Sequence, residues 1–290
     1  MRDDDATQAL REAYAVPTDF HIAVDAPTIR VWRGGLEAAV TQVATAPEGM
    51  PPADVAGRAP LGRIEAEGGA LLVRPYRKGG LLRAVRGARF RGRLRPLDEL
   101  VLHAALQEAG VPVLQVAGAV VQGDEGGWTG FLLTREEAGA VDLEAWLQGS
   151  DPAGGGAADP ALTLQRAGAA VRALHDAGVA HADLHPKNLL VTGAGPVLVI
   201  DLDRAASGAS PLADTPRVAN LARFERSLAK HRLKGTVLTR WDAEAFYAGY
   251  AGRDGDGTAW AARARARRGS LTLRRLWWRV TGATRPEADA

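Results

Sequence analysis

The sequence predicts an α+β protein with a strand-rich amino-terminal part and a mainly helical carboxy-terminal part. Short apolar runs separated by glycines fill residues 20–135, which is typical of strands joined by turns. From residue 161 onward, apolar residues recur at helical spacing over a longer stretch. A length of 290 residues with 46% hydrophobic residues suits one two-lobed domain or two modest domains.

In the amino-terminal part, residues 1–20 are polar and acidic and predict a loosely packed lead-in. Pro96, an acidic first turn and Gly110 predict a helix between them. The other predicted elements before residue 136 are two short strands, a helix, a strand pair joined through a Gly-Gly turn, two strand-like stretches and a later strand: 22–24, 29–32, 36–44, 61–80, 111–116, 117–122 and 128–134.

In the carboxy-terminal part, a polar link at 135–139 leads to a short helix and a glycine-rich insert. A long helix then runs from Ala161 to a glycine stop at Gly178. Two apolar runs, 189–191 and 197–200, predict a hairpin.

A polar loop lies between this helix and this hairpin. It carries His181, Asp183 and Asn188, and the hairpin ends in Asp201. Phosphoryl transfer needs a carboxylate that orients and deprotonates the attacking hydroxyl, and oxygen ligands that hold Mg²⁺ on the nucleotide phosphates. The order predicts Asp183 as the catalytic base and Asn188 and Asp201 as Mg²⁺ ligands. His-x-Asp-x-x-x-x-Asn followed by such a hairpin resembles the protein-kinase-like superfamily.

This resemblance implies a two-lobed protein-kinase-like fold with ATP held between the lobes. Residues 1–136 would be the N-lobe, which binds the nucleotide phosphates, and 137–290 the C-lobe. The backbone of the link around Glu136 would contact the adenine. Gly57 and Gly62 are candidates for a phosphate-covering loop, but they do not form Gly-x-Gly-x-x-Gly, and plain turn glycines explain them equally well.

The cation that grips the phosphates is expected at the end of the strand that contains Leu71–Val73. Arg74 occupies the place of the kinase lysine and Lys78 is the alternative, while a solvated strand end needs neither. Glu99, on the following helix, is the expected partner of this cation. Alternatively, Glu99 only stabilises the N-terminus of the helix, where acidic residues are favourable.

Five stretches resemble the lipopolysaccharide kinases and, within that family, the 3-deoxy-D-manno-octulosonic acid (Kdo) kinases. They are 74–82, the 99–113 helix with its exit, 181–188, 199–204 and 220–230. The resemblance spans roughly residues 55–250. It implies ATP-dependent phosphorylation of an alcohol group of Kdo linked to lipid A, at the cytoplasmic face of the inner membrane.

Two residues of these motifs depart from the protein-kinase pattern. His185 replaces a common lysine, and Asp203 replaces a glycine. Asp203 is expected either to contact the metal or sugar, or to form a turn with Arg204.

Composition excludes several other classes. There are no cysteines and no His-Glu-x-x-His pair, so a metal must be a hard ion held by oxygens. No long apolar run or signal peptide is evident, which predicts a cytoplasmic location. The short segment 205–215 argues against a protein substrate, and no nucleic-acid partner is expected.

The basic carboxy-terminal stretch, 263–279, includes Trp277 and Trp278. It suits peripheral contact with an anionic membrane surface, and equally a helix packed on the C-lobe. An aminoglycoside-phosphotransferase-like enzyme and a nucleotide-binding pseudokinase remain the alternative functions.

Overall fold

The computed structural model describes residues 3–53, 61–76, 89–152, 159–193, 195–233, 238–253 and 255–281. The chain divides into two compact units. The first comprises Met1–Ala138 with Leu202–Arg204, and the second comprises Gly139–Asp201 with Ala205–Ala290.

The first unit is built on an antiparallel sheet that, in the described part of the chain, has six strands in the order β1-β2-β5-β6-β4-β3. The strands are β1 Phe20–Asp25, β2 Thr28–Arg33, β3 Gly62–Ile64, β4 Leu71–Pro75, β5 Val116–Asp124 and β6 Gly127–Arg135. The helices are α1 Asp3–Tyr14, α2 Glu37–Thr45 and α3 Arg95–Glu108.

The predicted strands 22–24, 29–32, 117–122 and 128–134 and the predicted helices 36–44 and 96–110 are present within a few residues. Within the predicted pair 61–80, β3 and β4 pair antiparallel, and residues 77–80 lie outside the described residues. The prediction of a strand at 111–116 is wrong, because β5 begins only at Val116.

Hydrophobic clusters cover both faces of this sheet. Leu97 and Leu100 of α3 belong to one cluster, and Val40 of α2 belongs to the other. Because successive strand residues point to opposite faces, Leu71 and Val73 of β4 pack in the α2 cluster and leave Arg74 on the α3 face. The alternation therefore aims the predicted phosphate cation at the helix that carries Glu99.

The prediction of a loosely packed lead-in is wrong. Residues 3–14 form α1, and Val16 and Phe20 are buried. The Arg11 guanidinium donates hydrogen bonds to the carbonyls of Val16 (3.0 Å) and Phe20 (2.7 Å), and the Tyr14 hydroxyl accepts one from the backbone N–H of Leu94 (2.9 Å). Two buried side chains and one arginine are enough to dock a segment whose composition is mostly polar.

The second unit is mainly helical and contains the predicted hairpin. Its elements are β7 Val141–Asp142, α4 Leu143–Leu147, α5 Pro160–Asp176, β8 Val179–Ala180, a 3₁₀ turn Pro186–Asn188, β9 Leu189–Val191, β10 Val197–Val199, β11 Ala206–Ser207, α6 Asp214–Leu233, α7 Ala243–Ala251 and α8 Gly257–Thr281. β9 and β10 pair antiparallel. The α+β class predicted from the sequence is confirmed.

Helices α5 and α7 cross at backbone contact distance. A Cβ atom added at Gly168 would lie 2.0 Å from the carbonyl oxygen of Phe246, and one added at Gly249 would lie 1.9 Å from that of Gln165. The crossing positions α5, which ends just before Gly178 (φ 81°) and the polar loop.

We predict that Gly168→Ala destabilises the protein although alanine favours a helix. The methyl group would force the two helix backbones apart, which costs about 2 kcal/mol of unfolding free energy or more. Gly269→Ala on α8 is the matched control, since nothing lies within 4 Å of a Cβ there, and it should stabilise by about 0.5–1 kcal/mol. Urea denaturation of the two variants measures both effects, and shifts of the same sign would contradict the close crossing.

Candidate active site

The loop that carries Asp183 is held by the side chain of Asn220 on α6. The backbone N–H of His181 donates to Oδ1 of Asn220 (2.8 Å), and Nδ2 of Asn220 donates to the carbonyl oxygen of His181 (3.2 Å). Both residues are buried. One amide therefore pairs with the loop backbone as a neighbouring strand would.

The His181 side chain joins this loop to the end of the hairpin. Its Nδ1 accepts a hydrogen bond from the backbone N–H of Asp183 (3.0 Å), and its Nε2 lies 3.0 Å from the carbonyl oxygen of Ile200, to which it donates. Both bonds require the neutral ring, and burial lowers the pKa of His181. The imidazole thus positions Asp183 and Ile200, which precedes Asp201.

Asn188 ties the same two segments together a second time. Its side-chain Nδ2 donates to the backbone carbonyl of Asp183 (2.9 Å), and its backbone carbonyl accepts from the backbone N–H of Ile200 (3.0 Å). This leaves the amide oxygen of Asn188 as the atom suited to a cation. Asp201 is exposed and has a left-handed backbone (φ 61°), a conformation uncommon outside glycine and enriched at functional sites.

The carboxylate of Asp183 is open to solvent, with 62% of its side chain exposed. Arg223 Nη1 lies 2.8 Å from its Oδ1, and His185 Nε2 lies 3.5 Å from its Oδ2. Sequence reasoning did not single out Arg223, although it lies in the 220–230 stretch that carries the family resemblance. The missed signal is its position three residues after Asn220, which places both on one face of α6.

A buried polar network supports Asn220 from behind. His175 of α5 contacts Oδ1 of Asn220 through Nε2 (3.2 Å) and the hydroxyl of Tyr250 on α7 through Nδ1 (2.8 Å). Burial lowers the pKa of His175 to about 4 and raises that of Tyr250 to about 12. The ring is therefore neutral at physiological pH, with Nε2 donating to Asn220 and Nδ1 accepting from the tyrosine.

In the first unit, the structure brings Arg74 and Glu99 together as predicted. An Nη atom of Arg74 and the Tyr76 hydroxyl both donate to Oε2 of Glu99. Burial alone would raise the pKa of Glu99, but the charge of Arg74 and the contacts of His103 and Tyr76 lower it to about 2. Glu99 is thus a buried carboxylate that fixes the guanidinium of Arg74.

Comparison with known protein families identifies the family of this chain. The lipopolysaccharide kinase (Kdo/WaaP) family matches residues 62–250, which is more than half of the chain. The chain belongs to this family. It is therefore a kinase, a phosphotransferase of lipopolysaccharide biosynthesis.

Relatives of this lipopolysaccharide kinase include two bacterial proteins named 3-deoxy-D-manno-octulosonic acid kinase. The one from Vibrio cholerae is 30% identical over 188 residues, covering 63% of this chain and 74% of that protein. The one from Xanthomonas campestris pv. campestris is 30% identical over 200 residues, covering 68% and 75%. A solved structure, WaaP in complex with acyl carrier protein, is 23% identical and covers 77% of this chain and 90% of its own, with a TM-score of 0.47.

Two of the other predicted site residues of this lipopolysaccharide kinase, Glu136 and Gly62, lie in the described part of the chain. The backbone N–H of Glu136 donates to the carbonyl oxygen of Ala70 (3.0 Å), and the Glu136 carboxylate accepts from Nε of Arg63 (2.8 Å). The contact of this segment with adenine stays a prediction. Gly62 lies in β3, where a Cβ would meet Met50 at 3.0 Å. Gly57 and Lys78 lie outside the described residues.

Asp203 accepts two hydrogen bonds from the Arg95 guanidinium at the start of α3, one of them from Nε at 2.8 Å. Neither of the two roles expected for Asp203 includes this ion pair. The pair belongs to the first unit, whereas Asp201, two residues earlier, belongs to the second.

We predict that the lipopolysaccharide kinase loses stability in mild acid through His175. Its folded pKa of about 4 lies below the usual 6.5, so the unfolded chain binds the proton first and the stabilising effect is lost as pH falls through this window. The free energy of unfolding should drop by roughly 1–2 kcal/mol from this group between about pH 6.5 and 5. Urea denaturation across that range measures it.

The control is His175→Gln, which removes the titrating group. The variant is expected to be less stable at pH 7 but to show a flatter dependence on pH. An unchanged slope would assign the acid sensitivity to other groups.

Proposed function

We propose that this kinase transfers the γ-phosphoryl group of ATP to a hydroxyl of Kdo linked to lipid A in the lipopolysaccharide inner core. The observation that carries the proposal is the hydrogen-bonded loop. His181 and Asn188 both bond to the backbone of Asp183 and to that of Ile200, the residue before Asp201. The choice of Kdo as the acceptor is supported by the relatives that are named Kdo kinases.

Asp183 is the catalytic base of this proposal. Its backbone is fixed by His181 and Asn188, while its carboxylate is exposed and reachable by a substrate hydroxyl. A carboxylate held in this way accepts the hydroxyl proton as the oxygen attacks phosphorus. The Arg223 guanidinium orients it from one side.

Asn188 and Asp201 are the proposed Mg²⁺ ligands. In the described part of the chain, no group of three or more His, Cys, Asp or Glu side chains is arranged to hold a metal. That fits Mg²⁺, which takes one or two protein ligands and completes its shell with phosphate oxygens and water. The ion would neutralise charge on the nucleotide phosphates, and the exposed carboxylate of Asp201 and the amide oxygen of Asn188 suit a hard cation.

The amino-terminal unit supplies the nucleotide-binding lobe of the proposal. Arg74 contacts the phosphates from its site against Glu99, with Lys78 as the alternative cation, and the segment at Glu136 contacts the adenine. Residues 1–136 and 137–290 are the two lobes.

We also propose that the end of α8 contacts the anionic surface of the cytoplasmic face of the inner membrane. The first half of α8 packs on the second unit, since Ala261 and Ala264 are buried and Arg263 pairs with Asp214. Arg274–Arg279 follow about three to four turns beyond Ala264. Among the described residues, no helix is long and apolar enough to cross a membrane.

We predict that Asp183→Asn lowers phosphate transfer from ATP to Kdo-lipid A by about 100-fold or more, because the amide cannot accept the proton. Asp214→Asn is a matched control. Asp214 is 61% exposed and lies 2.8 Å from Arg263, much as Asp183 is 62% exposed and lies 2.8 Å from Arg223. Transfer of radiolabelled phosphate, with a urea melt of each variant, measures the effect. Full activity of Asp183→Asn would contradict the assignment, and an inactive wild type that still binds ATP would favour the pseudokinase.

For the membrane contact, we predict that replacing Arg274, Arg275 and Arg279 by Gln weakens binding to phosphatidylglycerol vesicles about 100-fold, since each basic residue contributes about 1 kcal/mol near an anionic surface. Co-sedimentation measures it, with phosphatidylcholine vesicles as the uncharged control. Equal binding of wild type and variant to anionic vesicles would refute the contact.

A further inference from the structure

Arg95, the first residue of α3, binds Asp203 through two of its nitrogens. Its Nε donates to Oδ1 of Asp203 (2.8 Å), and its Nη2 donates to Oδ2. The two side chains are only 23% and 21% exposed, against 66% and 34% for the neighbouring pair of Arg93 and Asp98. A two-point contact fixes the orientation of the carboxylate as well as its distance, and a shielded pair is screened less by salt than an exposed one.

The Arg95 guanidinium is itself held by two aromatic rings. Its Cζ lies 5.4 Å from the ring centroid of Tyr76 and 5.1 Å from that of Phe90, and both rings belong to the hydrophobic cluster on the α3 face of the sheet. Guanidinium groups are attracted to aromatic faces, so the rings limit the directions in which Arg95 can point. The hydroxyl of the same Tyr76 donates to Glu99, the residue that fixes Arg74.

Asp203 lies inside a short turn whose backbone conformation needs support. Asp201 (φ 61°) and Arg204 (φ 62°) are both left-handed. Residues other than glycine rarely adopt this conformation, which persists where surrounding contacts hold it. Between these two residues, the Leu202 side chain is 1% exposed and Asp203 is bound by Arg95. The buried leucine and the ion pair thus anchor the turn that begins at Asp201.

The chain on the other side of Asp201 is fixed as well. The backbone carbonyl of Ile200 accepts from Nε2 of His181, and the backbone N–H of Ile200 donates to the backbone carbonyl of Asn188. Asp201 therefore stands between two anchored neighbours, Ile200 and Leu202. The direction of its carboxylate depends on both anchors, because each limits one of the peptide groups that flank its Cα.

We propose that Arg95 is a positioning residue for Mg²⁺, which holds through Asp203 the turn that directs the Asp201 carboxylate. The inference rests on the proposed function, in which Asp201 is an Mg²⁺ ligand, and adds to it a residue that acts through Asp203. Mg²⁺ demands near-ideal ligand geometry, so a rotated carboxylate binds it more weakly. Helix α3 thereby positions both the turn after the metal ligand and, through Glu99, the phosphate cation Arg74.

A direct contact of Asp203 with the metal is the competing role for this residue. Both carboxylate oxygens of Asp203 accept a hydrogen bond from Arg95. A metal ion at these oxygens would lie beside the guanidinium, and the two positive charges would repel each other. The ion pair therefore favours a supporting role for Asp203 over a direct contact.

The test is ATP binding to the full-length protein, measured by isothermal titration calorimetry in excess Mg²⁺ and in EDTA. Arg95→Lys keeps the charge but loses the planar two-point contact. It is expected to weaken ATP binding about ten-fold in Mg²⁺ and to leave binding in EDTA unchanged. Arg93→Lys is the matched control: Nε of Arg93 lies 2.7 Å from Asp98 and its Cζ lies 4.9 Å from the ring centroid of Tyr14, and it should bind ATP as the wild type does.

A double-mutant cycle separates positioning from metal contact. If Asp203 acts as the partner of Arg95, then Asp203→Asn and the double variant should show about the same ten-fold loss in Mg²⁺ as Arg95→Lys, whereas independent roles would make the losses multiply. A urea melt checks that each variant is folded, and Asp203→Asn under the same two conditions carries the test if Arg95→Lys does not fold.

Three results would overturn the inference: losses that multiply, wild-type Mg²⁺ dependence in both single variants, or equal weakening in Mg²⁺ and EDTA. Each of them leaves the proposed function standing if the wild type transfers phosphate to Kdo-lipid A. A Mg²⁺-specific loss shared by the single and double variants supports the inference even if that transfer fails.

Discussion

The position of Asp183 depends on two hydrogen bonds between the Asn220 side chain and the backbone of His181. Both groups are buried, so losing the amide would leave a backbone donor and a backbone acceptor without partners, at a cost of about 1–3 kcal/mol each. Asn220 is in turn oriented by His175, which is oriented by Tyr250. Helices α5, α6 and α7 therefore all contribute to the placement of one loop.

This network separates the buried groups that build the loop from the exposed carboxylates beside it. The polar atoms of His181 and the Nδ2 of Asn188 bond to loop and hairpin backbone, and burial keeps the imidazoles of His175 and His181 neutral. The carboxylates of Asp183 and Asp201 point to solvent instead. Burying a neutral group costs less free energy than burying an ion. The loop is therefore held by neutral buried groups, while its charged carboxylates stay exposed.

How much could be predicted from the sequence depended on distance along the chain. The hairpin and the helix at 96–110 follow from local periodicity and from helix start and stop signals, and the Arg74–Glu99 pair is expected from the resemblance to the protein-kinase-like superfamily. The contact of Asn220 with His181 spans 39 residues, that of Arg223 with Asp183 spans 40, and that of Arg95 with Asp203 spans 108. No periodicity links such partners, so they appear only once the helices are packed. The docking of α1 was missed for the same reason, because Tyr14 bonds to Leu94.

The arginine at position 74 bears on whether this kinase could be an inactive relative. A strand lysine in this position supplies one permanent charge, located by a carboxylate on the neighbouring helix. Here Glu99 is buried, its pKa is about 2, and Arg74 and Tyr76 both donate to it, so the carboxylate is charged and the guanidinium is held. Arg74 is thus a cation fixed by a buried carboxylate at the position where the resemblance places the lysine, so the missing lysine alone gives the pseudokinase alternative little support.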